Sequence, residues 1–280
     1  MTEENTELPA RYPSDLTNDE WEILRPILEM LEPYKTGRRR TADLREILNA
    51  IFYLNKTGCP WRYLPTDLPP YKLVNYYYNK WTDSRILEKV NTVLRQRLRE
   101  KKGRNQDPTG AIIDSQSVKG TPESFLDSGF DGGKLVKGRK RHIVVDTIGC
   151  LLVVWVHAAN MFDGKAARQV ITNLFLLSHT VKMIWADCGY SGAELLNWVF
   201  LHFKCDLTVV KKKKGTQGFH ILPRRWVVER TFAWLGRSRR LSKDYERKPT
   251  SSETQVYIAS GRLLLRQICN NQTPYLLDAN

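Results

Sequence analysis

The sequence has few cysteines and lacks long apolar runs. Its five cysteines are an odd number with no CxxC pair among them, which argues against a disulfide framework and against a cysteine-rich zinc site. No stretch approaches the roughly 18 consecutive apolar residues of a membrane-spanning helix. The first twenty residues are polar and acidic, without the apolar core of a secretory signal. We therefore expect a cytoplasmic protein with no membrane partner.

Nucleotide binding has equally little support. Glycine and basic residues do occur together near Gly132, Gly133 and residues 137–141, but the spacing of a phosphate-binding Walker loop is absent. We expect no nucleotide cofactor. Hydrophobic residues make up 41% of the chain, which is ordinary for a folded globular protein and argues against disorder.

Acidic residues are fewer than basic residues, and the imbalance lies mainly in the second part of the chain. Lys and Arg total 44 against 30 Asp and Glu, a net charge of +14. Residues 1–100 contain 16 basic and 15 acidic residues, whereas residues 101–280 contain 28 and 15. Such a field favours a polyanionic partner, most often nucleic acid. The alternative is a soluble protein that happens to be basic.

Helical periodicity dominates the first hundred residues. Helices are expected after a capping box at 17–20, from a Thr41 cap to Gly58, and over 71–81 and 84–99. We predict an all-helical module over residues 1–100 and a polar linker over 101–110. Residues 41–81 could form a helix-turn-helix unit whose recognition helix is 71–81, with its tyrosines either contacting DNA or only packing.

Strand and helix patterns alternate after the linker. Strands are expected over 111–118, 141–147, 150–157, 181–186 and 206–210, and helices over 164–178, 191–203, 223–240 and 252–269. Residues 120–138 are interpreted as irregular. This order predicts an α/β domain over residues 111–270, built on a mixed sheet, with a tail at 271–280.

Two aspartates stand in or directly after apolar strand segments. Asp114 follows Ala-Ile-Ile, and Asp187 follows Met-Ile-Trp-Ala. A buried carboxylate needs a partner, and strand ends that open into turns are frequent sites of metal ligands. Each aspartate alone is more often structural. Asp146 could assist a metal site, but both Asp146 and His142 are interpreted as sheet residues.

A third carboxylate lies in an unusually basic segment. Between Lys204 and Lys248 there are 14 basic and four acidic residues, and Glu229 is one of the four. Helical spacing puts Val227, Val228, Thr231, Trp234 and Leu235 on one core-facing side and Glu229 on another. Glu229 could be merely the surface partner of Arg225 at i,i+4. A lone glutamate opposes DNA binding unless it has another task, and holding a cation is such a task.

Three carboxylates suggest a site for hard divalent cations. Carboxylate oxygens suit Mg²⁺ or Mn²⁺, and two such ions can activate an attacking hydroxyl and stabilise the leaving oxygen at a phosphodiester.

The sequence resembles the DDE-type transposases of bacterial insertion sequences, in the insertion-sequence-five group. The resemblance rests on four stretches: residues 113–119 (IDSQSVK), 138–147 (GRKRHIVVDT), 186–192 (ADCGYSG) and 225–235 (RWVVERTFAWL). Residues 17–81 resemble the helical N-terminal part of the same proteins, with GRRR at 37–40 and GCPWR at 58–62.

The resemblance implies an RNase H-like catalytic core with Asp114, Asp187 and Glu229 as its acidic triad. It implies two Mg²⁺ ions per site, with Mn²⁺ as a substitute, and Arg225 as a catalytic residue that orients either Glu229 or the scissile phosphate. It also implies a nucleoid-associated protein that acts on double-stranded DNA, at element ends and target, as a homodimer or larger assembly. Two positions depart from the family pattern: Leu222 stands where Tyr is frequent, and Gly236 where Lys is frequent.

Basic residues throughout the chain are candidate DNA contacts. The set comprises Arg38, Arg39, Arg40, Lys72, Lys80, Lys119, Arg139, Lys140, Lys211, Lys212, Lys213, Arg230, Arg237, Arg239, Arg240 and Lys243. The leading hypothesis is a metal-dependent transposase that cuts element ends and joins the freed 3′-hydroxyl to target DNA. The alternatives are a DNA-binding relic or repressor without catalysis and a nuclease of the same fold without strand transfer.

Overall fold

The capping box predicted at the first helix is present. The Thr17 hydroxyl accepts the Glu20 backbone N–H at 3.2 Å, and the Glu20 carboxylate accepts the Thr17 N–H at 3.0 Å. The two bonds satisfy N–H groups that a helix start leaves unpaired. The computed structural model describes residues 11–33, 41–124, 126–210 and 224–270. Within these ranges, none of the helices combines the length and apolar character that crossing a bilayer demands.

Four helices form the N-terminal region: α1 Asn18–Leu31, α2 Leu44–Thr57, α3 Tyr71–Asp83 and α4 Ile86–Lys101. The predicted Thr41 cap of α2 is wrong. Asp43 caps the helix instead, because its carboxylate accepts the Arg45 N–H at 2.8 Å. Gly58 ends α2 in the left-handed conformation, as predicted, with φ of 73°.

Strands and helices then alternate: β1 Gly110–Lys119, β2 Gly129–Asp131, β3 Val136–Asp146, β4 Leu151–Ala158, α5 Asp163–Leu177, β5 Met183–Ala186, α6 Ala193–Phe203, β6 Asp206–Val209, α7 Trp226–Leu235 and α8 Pro249–Asn270. The predicted mixed α/β class is confirmed. β3 pairs antiparallel with β1, β2 and β4, whereas β1–β5 and β5–β6 are parallel.

Two boundaries differ from the predictions. The segment 120–138, interpreted as irregular, contains β2 and the start of β3. It has no apolar alternation, and its pairing depends on Gly138, where a Cβ would lie 2.1 Å from the Val118 carbonyl oxygen. The helix predicted to reach residue 240 ends at Leu235. Gly236 follows it, and Arg239–Leu241 form a separate short 3-10 turn.

The sheet is covered on both faces. Helix α5 packs over Ile113 and Val144 in one hydrophobic cluster. On the other face, α7 and α8 pack over Ile112 and Val145. Side chains of neighbouring strand residues point to opposite faces, so Asp114 projects toward the α7 side and Ser115 toward the α5 side.

The N-terminal helices share a hydrophobic cluster with α8. Ile258, Leu264 and Leu265 of α8 lie in the same cluster as the core residues of α1 to α4. Polar bonds also cross between the two parts, since the Tyr78 hydroxyl donates to the Ser251 carbonyl at 2.8 Å. The side chain of Arg99, in α4, forms a buried ion pair with Asp146 of β3. Asp146 is therefore structural, as interpreted.

Candidate active site

Parallel pairing brings two of the predicted carboxylates to the same level of the sheet. Ile112 of β1 pairs with Trp185 of β5, and the two aspartates each follow two residues later. Asp114 and Asp187 therefore lie near each other at the same end of adjacent strands, although 72 residues separate them in sequence. Each accepts a backbone N–H: Asp114 Oδ1 from Ser115 at 2.7 Å, and Asp187 Oδ1 from Gly189 at 2.8 Å.

Arg225 connects Asp114 to the third carboxylate. Its Nη2 atom lies 3.8 Å from Asp114 Oδ2 and donates to Glu229 Oε1 at 3.1 Å. Glu229 is 46% exposed, while the side chains of Arg225 and Asp114 are each only 15% exposed. The buried residues of α7 are the predicted core face (Val227, Val228, Thr231, Trp234 and Leu235), so the helix is anchored with Glu229 turned outward.

The environment of Asp114 disfavours an unpaired negative charge. Burial, together with the charge of Asp187, raises its pKa to about 6. The Ser115 N–H and the Arg225 guanidinium oppose this shift. A carboxylate that is desolvated beside another carboxylate is stabilised as an anion by a cation.

The donor set suits a hard divalent cation, because all three groups supply carboxylate oxygen. The negative charge of Asp187 raises the pKa of Asp114. A bound cation would compensate this repulsion between the two carboxylates. Within the part of the chain that the structure describes, no group of three or more His, Cys, Asp or Glu side chains is arranged to hold a metal ion. Here the Arg225 guanidinium lies between Asp114 and Glu229. The chemistry of the three carboxylates thus suits a cation, whereas their arrangement here has Arg225 in contact with both Asp114 and Glu229.

The basic residues predicted to contact DNA divide by burial. Lys72, Lys119, Arg239 and Lys243 are exposed, and Lys80 is exposed but paired with Glu32. Arg237 is half-buried. Arg230 is half-buried, stacks on Trp226 and Trp234, and donates to the Ile148 carbonyl at 3.0 Å. The predicted residues Arg38, Arg39, Arg40, Lys211, Lys212 and Lys213 lie outside the described residues, as does Leu222.

Three of the predicted DNA contacts are instead interior residues. Arg139 is fully buried and donates to the Glu246 and Arg247 carbonyls at 2.7 and 2.8 Å. Arg240 is buried against Glu246 at 2.7 Å. Lys140 is buried and bonds to Asp163 at 3.0 Å. We correct these three assignments, because charge in the sequence does not distinguish a guanidinium that faces solvent from one that satisfies buried carbonyls.

A polar group missed at the sequence level adjoins the two aspartates. Asp163, the first residue of α5, accepts the Ser115 hydroxyl at 3.1 Å. The ring of His142 is fully buried; its Nδ1 atom lies 2.9 Å from the Tyr190 hydroxyl, and its Nε2 atom lies 3.5 Å from Asp163 Oδ1. Burial lowers the pKa of His142 well below 6.5, so its ring is neutral near pH 7. No sequence spacing indicated this cluster, since its members lie on four separate elements.

Comparison with known proteins supplies the family. Residues 105–264, more than half of the chain, match the family described as "Transposase DDE domain". This match includes all three carboxylates. The chain belongs to this family of DDE transposases. The RNase H-like fold class is therefore confirmed, and so is the resemblance on which the sequence interpretation rests.

A second family match and two relatives agree with this assignment. Residues 16–91 of this DDE transposase match a family described as "Putative transposase of IS4/5 family". The chain is 31% identical over 118 residues to "Putative transposase for insertion sequence element IS402" of Burkholderia cepacia, covering 40% of this chain and 55% of that protein. It is 29% identical over 104 residues to "Uncharacterized protein y4sN" of Sinorhizobium fredii (strain NBRC 101917 / NGR234), covering 37% and 75%. The chain thus spans about half the length of the first relative.

Proposed function

We propose that this protein binds the terminal inverted repeats of an insertion sequence, cuts the DNA at the element ends and joins the freed 3′-hydroxyl to target DNA. The observation that carries the proposal is the placement of Asp114 and Asp187 at the ends of adjacent parallel strands, with Glu229 tied to Asp114 through Arg225. Membership in the DDE family supports it, because the matched region contains these residues.

The three carboxylates would hold the divalent cations. Asp114, Asp187 and Glu229 are the ligands in this proposal, with two Mg²⁺ ions per site and Mn²⁺ as a substitute. Bound ions of this kind polarise phosphoryl oxygen and activate an oxygen nucleophile. Arg225 neutralises Asp114 and Glu229 before the cations bind, and it then has its guanidinium available for the scissile phosphate.

A cavity borders the strand and the helix that carry Asp114 and Glu229, although none of the three carboxylates lines it. A cavity of about 350 Å³ lies between the second half of β1 and α7, bordered by Gln116, Lys119, Phe232, Gly236 and Ser242. Gln116 is two residues after Asp114, and Phe232 is one helical turn after Glu229. The exposed Lys119 and Lys243 flank this face and would contact phosphates.

The N-terminal helices would help to select the element ends. On α3 the side chains of Lys72 and Tyr76 are exposed, whereas Tyr77 and Tyr78 are buried. Tyr77 and Tyr78 therefore pack in the core, whereas Tyr76 is available to contact DNA. Pairing of two ends would require a homodimer or larger assembly in the DNA complex.

The test is strand cleavage of DNA carrying the flanking repeats, with Mn²⁺ present. Asp114→Asn, Asp187→Asn and Glu229→Gln should each abolish cutting while DNA binding in a gel-shift assay persists. Asp206→Asn and Glu194→Gln, at exposed positions on β6 and α6, are the matched controls and should cut normally. Normal cutting by any triad variant would refute the assignment.

Two alternatives give different products. A DNA-binding relic or repressor would bind the repeats equally well with a chelator and would not nick with Mg²⁺ or Mn²⁺. A nuclease without strand transfer would cut but would yield no joined product from pre-cleaved ends and a target plasmid.

A further inference from the structure

The face of the sheet opposite the triad becomes polar at the level of the active site. Ile113 and Val144 are apolar and buried under α5, but the next pair on this face is Ser115 with His142, followed by Ser117 with Lys140. Polar side chains beneath a helix need partners. Asp163 at the start of α5 meets two of them.

Asp163 is held from the β1–β3 side by two hydrogen-bond donors, and a third polar group lies close by. Its Oδ1 atom accepts the Ser115 hydroxyl at 3.1 Å and the Lys140 ammonium at 3.0 Å. The Nε2 atom of the fully buried His142 lies 3.5 Å from the same oxygen and makes no hydrogen bond to any described residue. Only 19% of the Asp163 side chain is exposed, so the carboxylate has little freedom to reorient.

Asp163 also lies against the turn that follows β5. A Cβ built on Gly189 would be 3.1 Å from Asp163 Oδ2 and 3.0 Å from Asp187 Oδ1. Both carboxylates therefore crowd the position that a side chain at residue 189 would take. A methyl group there would require these oxygens to shift by a few tenths of an ångström.

The two contacts share a feature. Ser115 donates its backbone N–H to Asp114, and Gly189 donates its backbone N–H to Asp187. The Asp163 carboxylate adjoins both of these donor residues, because its Oδ1 atom accepts the Ser115 hydroxyl and its Oδ2 atom faces the Cβ position of Gly189. It therefore bridges the two backbone segments that orient the aspartates.

We propose that Asp163 is a positioning residue that sets the relative placement of Asp114 and Asp187 through Ser115 and Gly189. This inference rests on the proposed function, because its consequence is the affinity of the two aspartates for a divalent cation. Carboxylates one step removed from a metal site act by orienting its ligands, and their loss typically weakens metal binding about 10–100-fold.

Asp131 provides a matched control. Its carboxylate lies 3.4 Å from the same Lys140 ammonium and accepts the Ser117 hydroxyl at 2.5 Å. It thus resembles Asp163 in binding a serine hydroxyl and Lys140, one strand pair farther from Asp114, and it additionally accepts the Gly133 and Lys134 N–H groups at 3.0 and 3.1 Å. It touches neither Ser115 nor Gly189 among the described contacts.

The experiment compares Asp163→Ala with Asp131→Ala in the full-length protein. Mn²⁺ binding is measured by electron paramagnetic resonance of the free ion, and thermal unfolding is followed in parallel. We expect Asp163→Ala to weaken Mn²⁺ binding by about tenfold or more, and Asp131→Ala to leave it within about twofold while lowering the unfolding temperature similarly. Unchanged Mn²⁺ binding in Asp163→Ala, or equal weakening in both variants, would overturn the proposal.

Two further variants keep the proposal testable if Asp163→Ala does not fold. Gly189→Ala inserts a methyl group between the two carboxylates, and Ser115→Ala removes one hydroxyl bond. Each should weaken Mn²⁺ binding, and normal binding in both would overturn the proposal.

Asp114→Asn and Asp187→Asn serve as reference variants in the same titration. If they bind Mn²⁺ normally, the proposed metal site itself fails. If they lose binding while Asp163→Ala and Gly189→Ala retain it, only the positioning role fails.

Discussion

Arg225 Nη2 lies 3.8 Å from Asp114 Oδ2, which joins the residue before α7 to the central strand of the sheet. Both side chains are largely withdrawn from solvent. The same guanidinium nitrogen also donates to Glu229. The Arg225 side chain therefore contacts two of the three acidic groups.

We expect Arg225→Ala to lower the rate of strand cleavage by about 10²-fold, because a preorganised positive group beside reacting phosphate is worth that much. Arg225→Lys should recover part of the rate, since it retains charge but loses the planar guanidinium. The control is Arg168→Ala. In the parent protein the exposed Arg168 of α5 forms an ion pair with Glu194 of α6. Single-turnover cutting of repeat DNA is the measurement, and wild-type rates in Arg225→Ala would contradict the role.

Lys119 and Lys243 are exposed on the side of the proposed substrate cavity. Replacing either by Ala should weaken DNA binding and reduce the slope of log K against log salt by about 1 per lost phosphate contact. Binding titrations at several salt concentrations provide the slope. An unchanged slope in both variants would place the DNA elsewhere.

Arg139 should behave in the opposite way. Its guanidinium lies 3.3 Å from Asp244, and neither side chain is exposed. Arg139→Ala should lower the free energy of unfolding by about 3–5 kcal/mol, since it leaves a buried carboxylate unpaired. The salt slope of DNA binding by the folded fraction should not change. Urea denaturation and the same binding titration test both parts, and a stable variant with a reduced slope would restore Arg139 as a DNA contact.

Glu253 predicts how stability depends on pH. Burial raises its pKa to about 7, with a further contribution from Glu88, and the Val156 N–H opposes the shift. The folded protein therefore binds this proton more tightly than the unfolded chain, whose carboxyl titrates near the ordinary value of 4.5. Stability from this group is fully present below about 4.5 and falls as pH rises toward about 7.

Glu253→Gln should remove that dependence. The variant should gain stability relative to the parent at pH 8, by at most about 3 kcal/mol from the size of the shift, and little at pH 5. Gln can still accept the Val156 N–H. Urea midpoints at the two pH values decide the matter, and an equal difference between the proteins at both would refute the assignment.

The local features of the fold followed from the sequence. The capping box at Thr17, the left-handed end at Gly58 and the core face of α7 depend on residues within a few positions of each other, where backbone hydrogen bonding and side-chain periodicity act directly. The cap at Asp43 and the early end of α7 at Leu235 were missed. Competing caps and breakers stand only a few residues apart, and tertiary packing selects among them.

For the candidate site, the sequence supplied the residue types and the order of Asp114, Asp187 and Glu229. The family match over residues 105–264 establishes membership in the DDE family. Their roles, and those of the basic residues, stay predictions. What no spacing could indicate is the cluster around Asp163, because its contacts join α5, β1, β3 and the turn after β5.

The sequence by itself determined most of the helices and strands, the basic character and the candidate carboxylates, because propensity, charge and residue type are local properties. Tertiary structure decided which charges meet. The pairing of β1 with β5 brought Asp114 beside Asp187, and burial turned Arg139 and Arg240 from candidate surface cations into interior partners. Such outcomes depend on strand register and helix packing between segments that are distant in sequence. Whether a charged side chain is desolvated is therefore decided only in the folded protein.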